Sequence, residues 1–142
     1  MRNIAIYKAT LDNEEIDQLK SVLQAKDDLS KVLEFEEKMV KYIGAKYAIA
    51  TATSTAALHL ALSSMRLKRG DKVLMSVNSF VNLPETVRHF DAEPIFVDIN
   101  LEDMNLDIEK FEEAIIANKS KRLRAAIITF IGGLAPNLDK IY

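Results

Sequence analysis

Residues 72–99 read KVLMSVNSFVNLPETVRHFDAEPIFVDI. Two apolar runs, KVLMSV (72–77) and EPIFVDI (93–99), flank a polar loop and a short helical segment, PETVRHF, that opens on Pro84. Near-continuous apolar strands are the mark of strands buried on both faces, and a helical crossover between two of them predicts a parallel pair. Pro84 suits the first turn of that helix, where its missing N–H is no loss.

The same rhythm extends in both directions. Upstream, YAIAT (47–51) predicts a short strand, TAALHLALSSMRL (55–67) a mostly apolar helix, and RGD (69–71) the turn before the 72–77 strand. Downstream, Asp107 predicts a cap for the helix IEKFEEAII, and RAAIITF (124–130) predicts a further strand before IGGLAPN. Strands alternating with helices describe an α/β fold, a mostly parallel sheet flanked by helices. Before it, Asp12 and Glu15 have the spacing of a capping box, and Ile16, Leu19, Val22 and Leu23 share one helix face. A second amphipathic helix is expected after Ser30, with Val32, Phe35, Met39, Tyr42 and Ile43 inside, ending at Gly44 as a left-handed cap. The expected organisation is a helical segment over residues 1–45 and one continuous α/β unit over 46–142.

Composition narrows the function. Apolar residues make up 49% of the 142 and charged residues 28%, which fits a globular core. A net charge of −2 offers nothing to wrap nucleic acid or an anionic membrane. No cysteine is present, which removes thiolate chemistry and disulfides and fits a cytoplasmic address. No apolar run reaches the roughly 18 residues of a membrane helix. The opening MRNIAIYKATLDNEE turns acidic too soon for a signal peptide. His59 and His89 lack a paired ligand spacing, so no metal site is expected.

In open α/β sheets ligands sit at the carboxyl ends of strands, beside helix N-termini. Three loops qualify: 51–55, 76–82 and 129–137. Thr51, Thr53, Ser54 and Thr55 place hydroxyls where free backbone N–H groups and the helix dipole favour an anion, so a phosphate would suit the turn. Ser and Thr are also ordinary helix caps. Phe80 either lies over a flat ligand or packs beneath its loop. Asn78 and Asn82 are hydrogen-bonding groups or plain turn residues. Gly132 and Gly133 permit a tight turn or a close approach to a ligand. His59 is expected to be semi-buried and satisfied, His89 and Arg88 to face solvent. Asp98 is a site carboxylate or a cap, and KSKRLR (119–124) reads as a solvated face.

Taken together, VLEFEEKMVKYIGAKYAIATATSTAALHLAL (32–62), RGDKVLMSVNSFVN (69–82) and AEPIFVDINLEDMNLDIEKFEEAI (92–115) resemble the N-terminal part of the DegT/DnrJ/EryC1/StrS family. Its members are fold-type I, pyridoxal-phosphate-dependent aminotransferases acting on keto sugars attached to nucleotides. The resemblance runs from about Asp12 to Tyr142 and is most specific in STAALHLAL and in EPIFVDIN followed by MNLD. It implies pyridoxal 5'-phosphate as cofactor, with its phosphate held at Ser54, Thr55 and Ala56 and its ring stacked on Phe80. It also implies a nucleotide-sugar substrate, glutamate as amino donor, a homodimer or self-associating chain, and a place in cell-surface polysaccharide or glycan biosynthesis.

The departures are equally specific. Ser54 stands where glycine is usual, and Asn82, Leu83 and Pro84 follow the aromatic where small residues are usual. Leu29 and Ser30 replace a Gly-Pro pair, Phe130 takes the place of a histidine or aromatic, and Asn137 that of an acidic residue. The resemblance puts the aspartate that pairs with the pyridine nitrogen, and the lysine that forms the Schiff base, beyond Tyr142. The chain alone is therefore expected not to transaminate. The alternative expectation is a non-catalytic α/β fragment or interaction module.

Overall fold

The computed structural model describes residues 8–25 and 30–141. Strand β1 (Lys72–Ser76) lies in the middle of a three-stranded sheet, with β2 (Glu93–Val97) on one side and β3 (Leu123–Ile127) on the other. Both pairings are parallel. Val73, Leu74, Met75 and Ser76 are each at most 1% exposed, as the unbroken apolar run predicted. Pro94, which has no N–H to give a ladder, is tolerated because β2 is an edge strand.

Alternation along β1 sorts its side chains between two layers. Val73 and Met75 pack with Leu62 of α3 (Ser54–Ser64), Val87 of α4 (Asn82–Arg88) and Ala92. Leu74 packs on the opposite face with Val97, Leu106 and Phe111 of α5 (Ile108–Ala117). Each of the larger of these side chains contributes about 1.5–3 kcal/mol by leaving water. The caps follow the expected chemistry. Asp107 Oδ1 accepts from the N–H groups of Glu109 and Lys110 at 3.0 and 3.1 Å, closing the start of α5.

The described residues divide at Ala50/Thr51 into two units. In the first, α1 (Asn13–Gln24) opens with a capping box: Glu14 N–H donates to Asp12 Oδ1, and Asp12 N–H donates to Glu15 Oε2. Helix α2 (Ser30–Ile43) ends at Gly44, whose φ is +73°. The inward face expected for α2 is not covered, since Phe35, Ile43 and Tyr42 are 55%, 63% and 88% exposed. Two helices offer no second layer wide enough to bury such a stripe. The expected Gly-Pro replacement falls partly on Leu29, outside the described residues.

The strand expected at 47–51 is corrected. Those residues join no ladder, and Tyr47 and Ile49 stay exposed. Apolar composition does not make a strand without a neighbour for its N–H and C=O groups. The Ala50 N–H donates to Glu36 Oε1 at 2.7 Å instead. Other boundaries shift as well: α3 stops at Ser64 rather than 67, β1 at Ser76 rather than 77, β2 at Val97 rather than 99 and β3 at Ile127 rather than 130, while α4 runs Asn82–Arg88. No helix among the described residues is long and apolar enough to cross a membrane. Leu74→Ala should lower stability by about 2–5 kcal/mol, because the two layers cannot both collapse onto a central strand. The midpoint of urea unfolding measures this, and an unchanged midpoint contradicts the central placement of β1.

Candidate functional site

Parallel pairing sends the chain out of all three strands at the same edge of the sheet. The N-terminus of α3 is tied to that edge by one hydrogen bond, from Asn82 Nδ2 to Thr55 Oγ1 at 2.7 Å. Asn82 begins α4 directly after the β1 loop, and its carbonyl accepts the Thr86 hydroxyl at 2.6 Å. The loops 51–55 and 76–82, separate in sequence, therefore meet.

The hydroxyls in the first loop divide their work. Thr53 is the cap of α3, and its Oγ1 accepts the Ala56 N–H at 3.1 Å. Thr51 Oγ1 donates to the Thr53 carbonyl at 2.9 Å. Among the described residues, the Ser54 and Thr55 amides and the Ser54 hydroxyl have no intramolecular partner. Ser54 is not among the residues with positive φ, so serine occupies the glycine position without backbone strain. Two open N–H groups and a hydroxyl at the positive end of a helix dipole form an anion cradle. The donor set fits a phosphate. The Ala56 amide is engaged by the cap, which leaves the Ser54 and Thr55 amides as the open donors of this turn.

Phe80 follows β1 and is 74% exposed, with its ring available rather than packed under the loop. Asn78 steadies the same loop. Its Nδ2 donates to the Met104 carbonyl at 3.1 Å, and its N–H donates to Ser76 Oγ at 3.2 Å. The Asn82 Oδ1 and Thr129 Oγ1 atoms are buried without a hydrogen-bond partner. Each is a polar atom at a loop of this edge with capacity left for a ligand or water.

Asn105 was not foreseen as a site residue. It is 1% exposed, accepts the Ile131 N–H at 3.0 Å through Oδ1 and donates to the Leu134 carbonyl at 3.1 Å through Nδ2. One amide thus brackets Gly132 and Gly133, both left-handed with φ of +63° and +81°. The available signal was an asparagine between two apolar residues in MNLD.

Asp98 proves to be a paired carboxylate. Its Oδ2 accepts Lys110 Nζ at 2.6 Å, and its Oδ1 accepts the Ile99 N–H at 2.9 Å. The Lys110 hydrogen bond, followed by that of Ile99, holds the Asp98 carboxyl below the usual carboxylate range, and Asp98 in turn raises the Lys110 amine. His59 is exposed rather than semi-buried, with its ring 4.7 Å from Phe90 and 6.1 Å from His89. Arg88 and His89 face solvent as expected. The described residues hold no cluster suited to a metal ion.

Two outcomes follow for the loops. A depressed Asp98 contributes stability that is present above the ordinary carboxylate value and is lost as pH falls through the lowered one. Carboxyl-carbon NMR should place its midpoint below that of other aspartates, and Lys110→Ala should return it toward them. Asn105→Leu keeps the volume and leaves the Ile131 N–H and Leu134 C=O unpaired. It should cost about 1–3 kcal/mol and speed amide hydrogen exchange through residues 131–134. Unchanged exchange there would remove the bracket.

Comparison with known proteins identifies the family and the fold. The profile of the DegT/DnrJ/EryC1/StrS aminotransferase family matches residues 9–142. The chain is 35% identical over 111 residues to the spore coat polysaccharide biosynthesis protein SpsC of Bacillus subtilis, covering 78% of this chain and 28% of that protein. It is 33% identical over 110 residues to the UDP-2-acetamido-2-deoxy-3-oxo-D-glucuronate aminotransferase of Pseudomonas aeruginosa, covering 78% and 30%. Its structure matches E. coli GDP-4-keto-6-deoxy-D-mannose-3-dehydratase with bound hydrated PLP at a TM-score of 0.87 and 25% identity, over 99% of this chain and 37% of that one. The chain spans 28% and 30% of the length of these two curated relatives. A profile match over nearly its whole length, with the fold to go with it, shows that the chain belongs to the DegT/DnrJ/EryC1/StrS aminotransferase family.

Proposed function

We propose that these residues form the phosphate-and-ring side of the cofactor site in a pyridoxal-phosphate-dependent aminotransferase. The enzyme aminates a nucleotide-linked keto sugar, with glutamate as donor, for cell-surface polysaccharide or glycan synthesis. It works as a cytoplasmic homodimer. The observation that carries the reading is the pair of unpartnered N–H groups at Ser54 and Thr55, with the Ser54 hydroxyl beside them, at the start of α3.

Each residue has a defined task. Ser54 and Thr55 donate backbone N–H groups to the phosphate, and the dipole of α3 favours its charge. Thr53 keeps the first turn of α3 closed through Ala56, so the cradle is set before ligand arrives. Asn82 fixes the Thr55 side chain and joins the cradle to the loop that carries Phe80. Phe80 supplies an apolar face for the pyridine ring. Pyridoxal phosphate, when bound, supplies the electron sink that amino-group transfer needs. In this reading the amine that anchors the cofactor covalently comes from outside the 142 residues, which do not transaminate by themselves.

Support for the sugar substrate is the likeness to the P. aeruginosa enzyme, whose name gives a UDP-linked keto sugar acid. The non-catalytic alternative draws on one observation: the sheet of residues 51–142 has apolar cores on both faces.

Ser54→Asp sets a carboxylate against the phosphate and should weaken cofactor binding about 10–100-fold, the value of one or two charge-assisted hydrogen bonds. Phe80→Ala should weaken it about 2–10-fold by loss of ring contact. Quenching of tyrosine fluorescence during cofactor titration reads both. Borohydride treatment of the isolated 142 residues with pyridoxal phosphate should trap no stoichiometric adduct on one lysine. Equal affinity in Ser54→Asp and wild type removes the cradle and leaves the non-catalytic reading.

A further inference from the structure

The opposite edge of the sheet, where the strands begin, carries a basic cleft. It encloses about 400 Å³ and is lined by Arg66, Lys68, Lys121 and Arg124, with Asp71 the one carboxylate among them. That size is ordinary for a small-molecule pocket. Asp71 Oδ2 is already engaged, accepting the Lys68 backbone N–H at 2.9 Å. Among the described residues, none of the four cations joins an ion pair. Four cations against one carboxylate, in a chain of net charge −2, is a concentration of positive charge rather than an average surface.

Two backbone irregularities deliver the arginines. Arg66 follows α3 with φ of +52°, a left-handed conformation that glycine adopts freely and arginine holds only under strain. In β3, Leu123 pairs with Lys72 and Ala125 with Val73, so Arg124 is an extra residue in a bulge. Bulges re-aim a side chain and are uncommon between parallel strands. A strained turn and a rare bulge, on separate elements, converge on one concave surface. Residues 119–124, expected to be a solvated face, thus contribute two cleft residues, Lys121 and Arg124.

We infer that this cleft is a phosphate-binding site, distinct from the cradle at Ser54, that takes a phosphate monoester or diphosphate of a small soluble molecule. Guanidinium groups match phosphate oxygens in pairs, and lysines add point charge. A concave pocket of this volume selects a small ligand over a polyanionic chain.

Pyrophosphate titrated by calorimetry into the full chain at fixed ionic strength tests this, in a Ser54→Asp background that disables the cradle. One saturable site is expected. Arg66→Gly should weaken it at least about tenfold, the value of one charge-assisted hydrogen bond, while raising Tm by about 2–4 °C as the strain is relieved. Combined Lys121→Gln and Arg124→Gln should weaken it further without the rise in Tm. A nucleoside diphosphate and phosphatidate-containing vesicles form two further arms, and binding of the soluble diphosphate is expected. Vesicle binding without pyrophosphate binding overturns the inference in favour of a lipid surface. Unchanged pyrophosphate affinity in both the Arg66→Gly and the paired Gln proteins, or the lack of any saturable site, overturns it outright.

Discussion

The burial of β1 on both faces is the constraint from which the remainder follows. A strand flanked by two parallel neighbours and two helical layers has no polar face to spare. Polarity can therefore return only where the strand ends. Ser76 is that boundary: it is 1% exposed and its hydroxyl accepts the Asn78 N–H, turning the chain out of the sheet. From there on, Asn78, Phe80 and Asn82 stand at the same edge as the start of α3. Their own propensities would not bring them to it. The sheet does so, because its parallel strands all end there.

The hydroxyl-rich turn at α3 shows how one stretch can cap a helix and still leave donors open. A serine or threonine before a helix is explained by capping alone, and Thr53 does cap. If capping were the whole account, the neighbouring hydroxyls would be spectators. Instead Thr55 Oγ1 is taken by Asn82 and the Ser54 donors are left open. Serine is tolerated at position 54 because this first helical residue does not have a positive φ, so glycine's conformational freedom is not required there.

Much of the fold was legible because periodicity is a local property that burial on both faces imposes. The runs at 72–77 and 93–99, the cap at Asp107 and the box at Asp12 and Glu15 all follow from patterns a few residues long. Features that depend on distant partners were not. Residues 47–51 have the composition of a strand, but a ladder needs a neighbour, and Glu36 takes the Ala50 N–H. The apolar stripe of α2 implied a covering layer that two helices do not provide. Asn105 owes its role to a loop 26 residues away, and no spacing rule joins an asparagine to a glycine pair at that distance. In the site, the Thr and Ser cluster was visible, whereas the division of its donors required the Asn82 contact.

The two ends of α3 present different electrostatics, which bears on why the basic cleft is more than a complement to a helix terminus. At the N-terminus the dipole favours an anion, and the Ser54 and Thr55 amides are open there. At the C-terminus the dipole opposes an anion. Cations near a helix C-terminus are stabilising in their own right, and one arginine there would need no other explanation. Yet the last turn of α3 holds no basic residue, and the dipole effect fades within a turn. Arg66 lies beyond the C-cap, while Lys121 and Arg124 come from the approach to β3 and its bulge. Dipole compensation accounts for neither the strained backbone of Arg66 nor the second element. An anion in the cleft, as inferred above, would offset the mutual repulsion of cations that otherwise only the fold holds together.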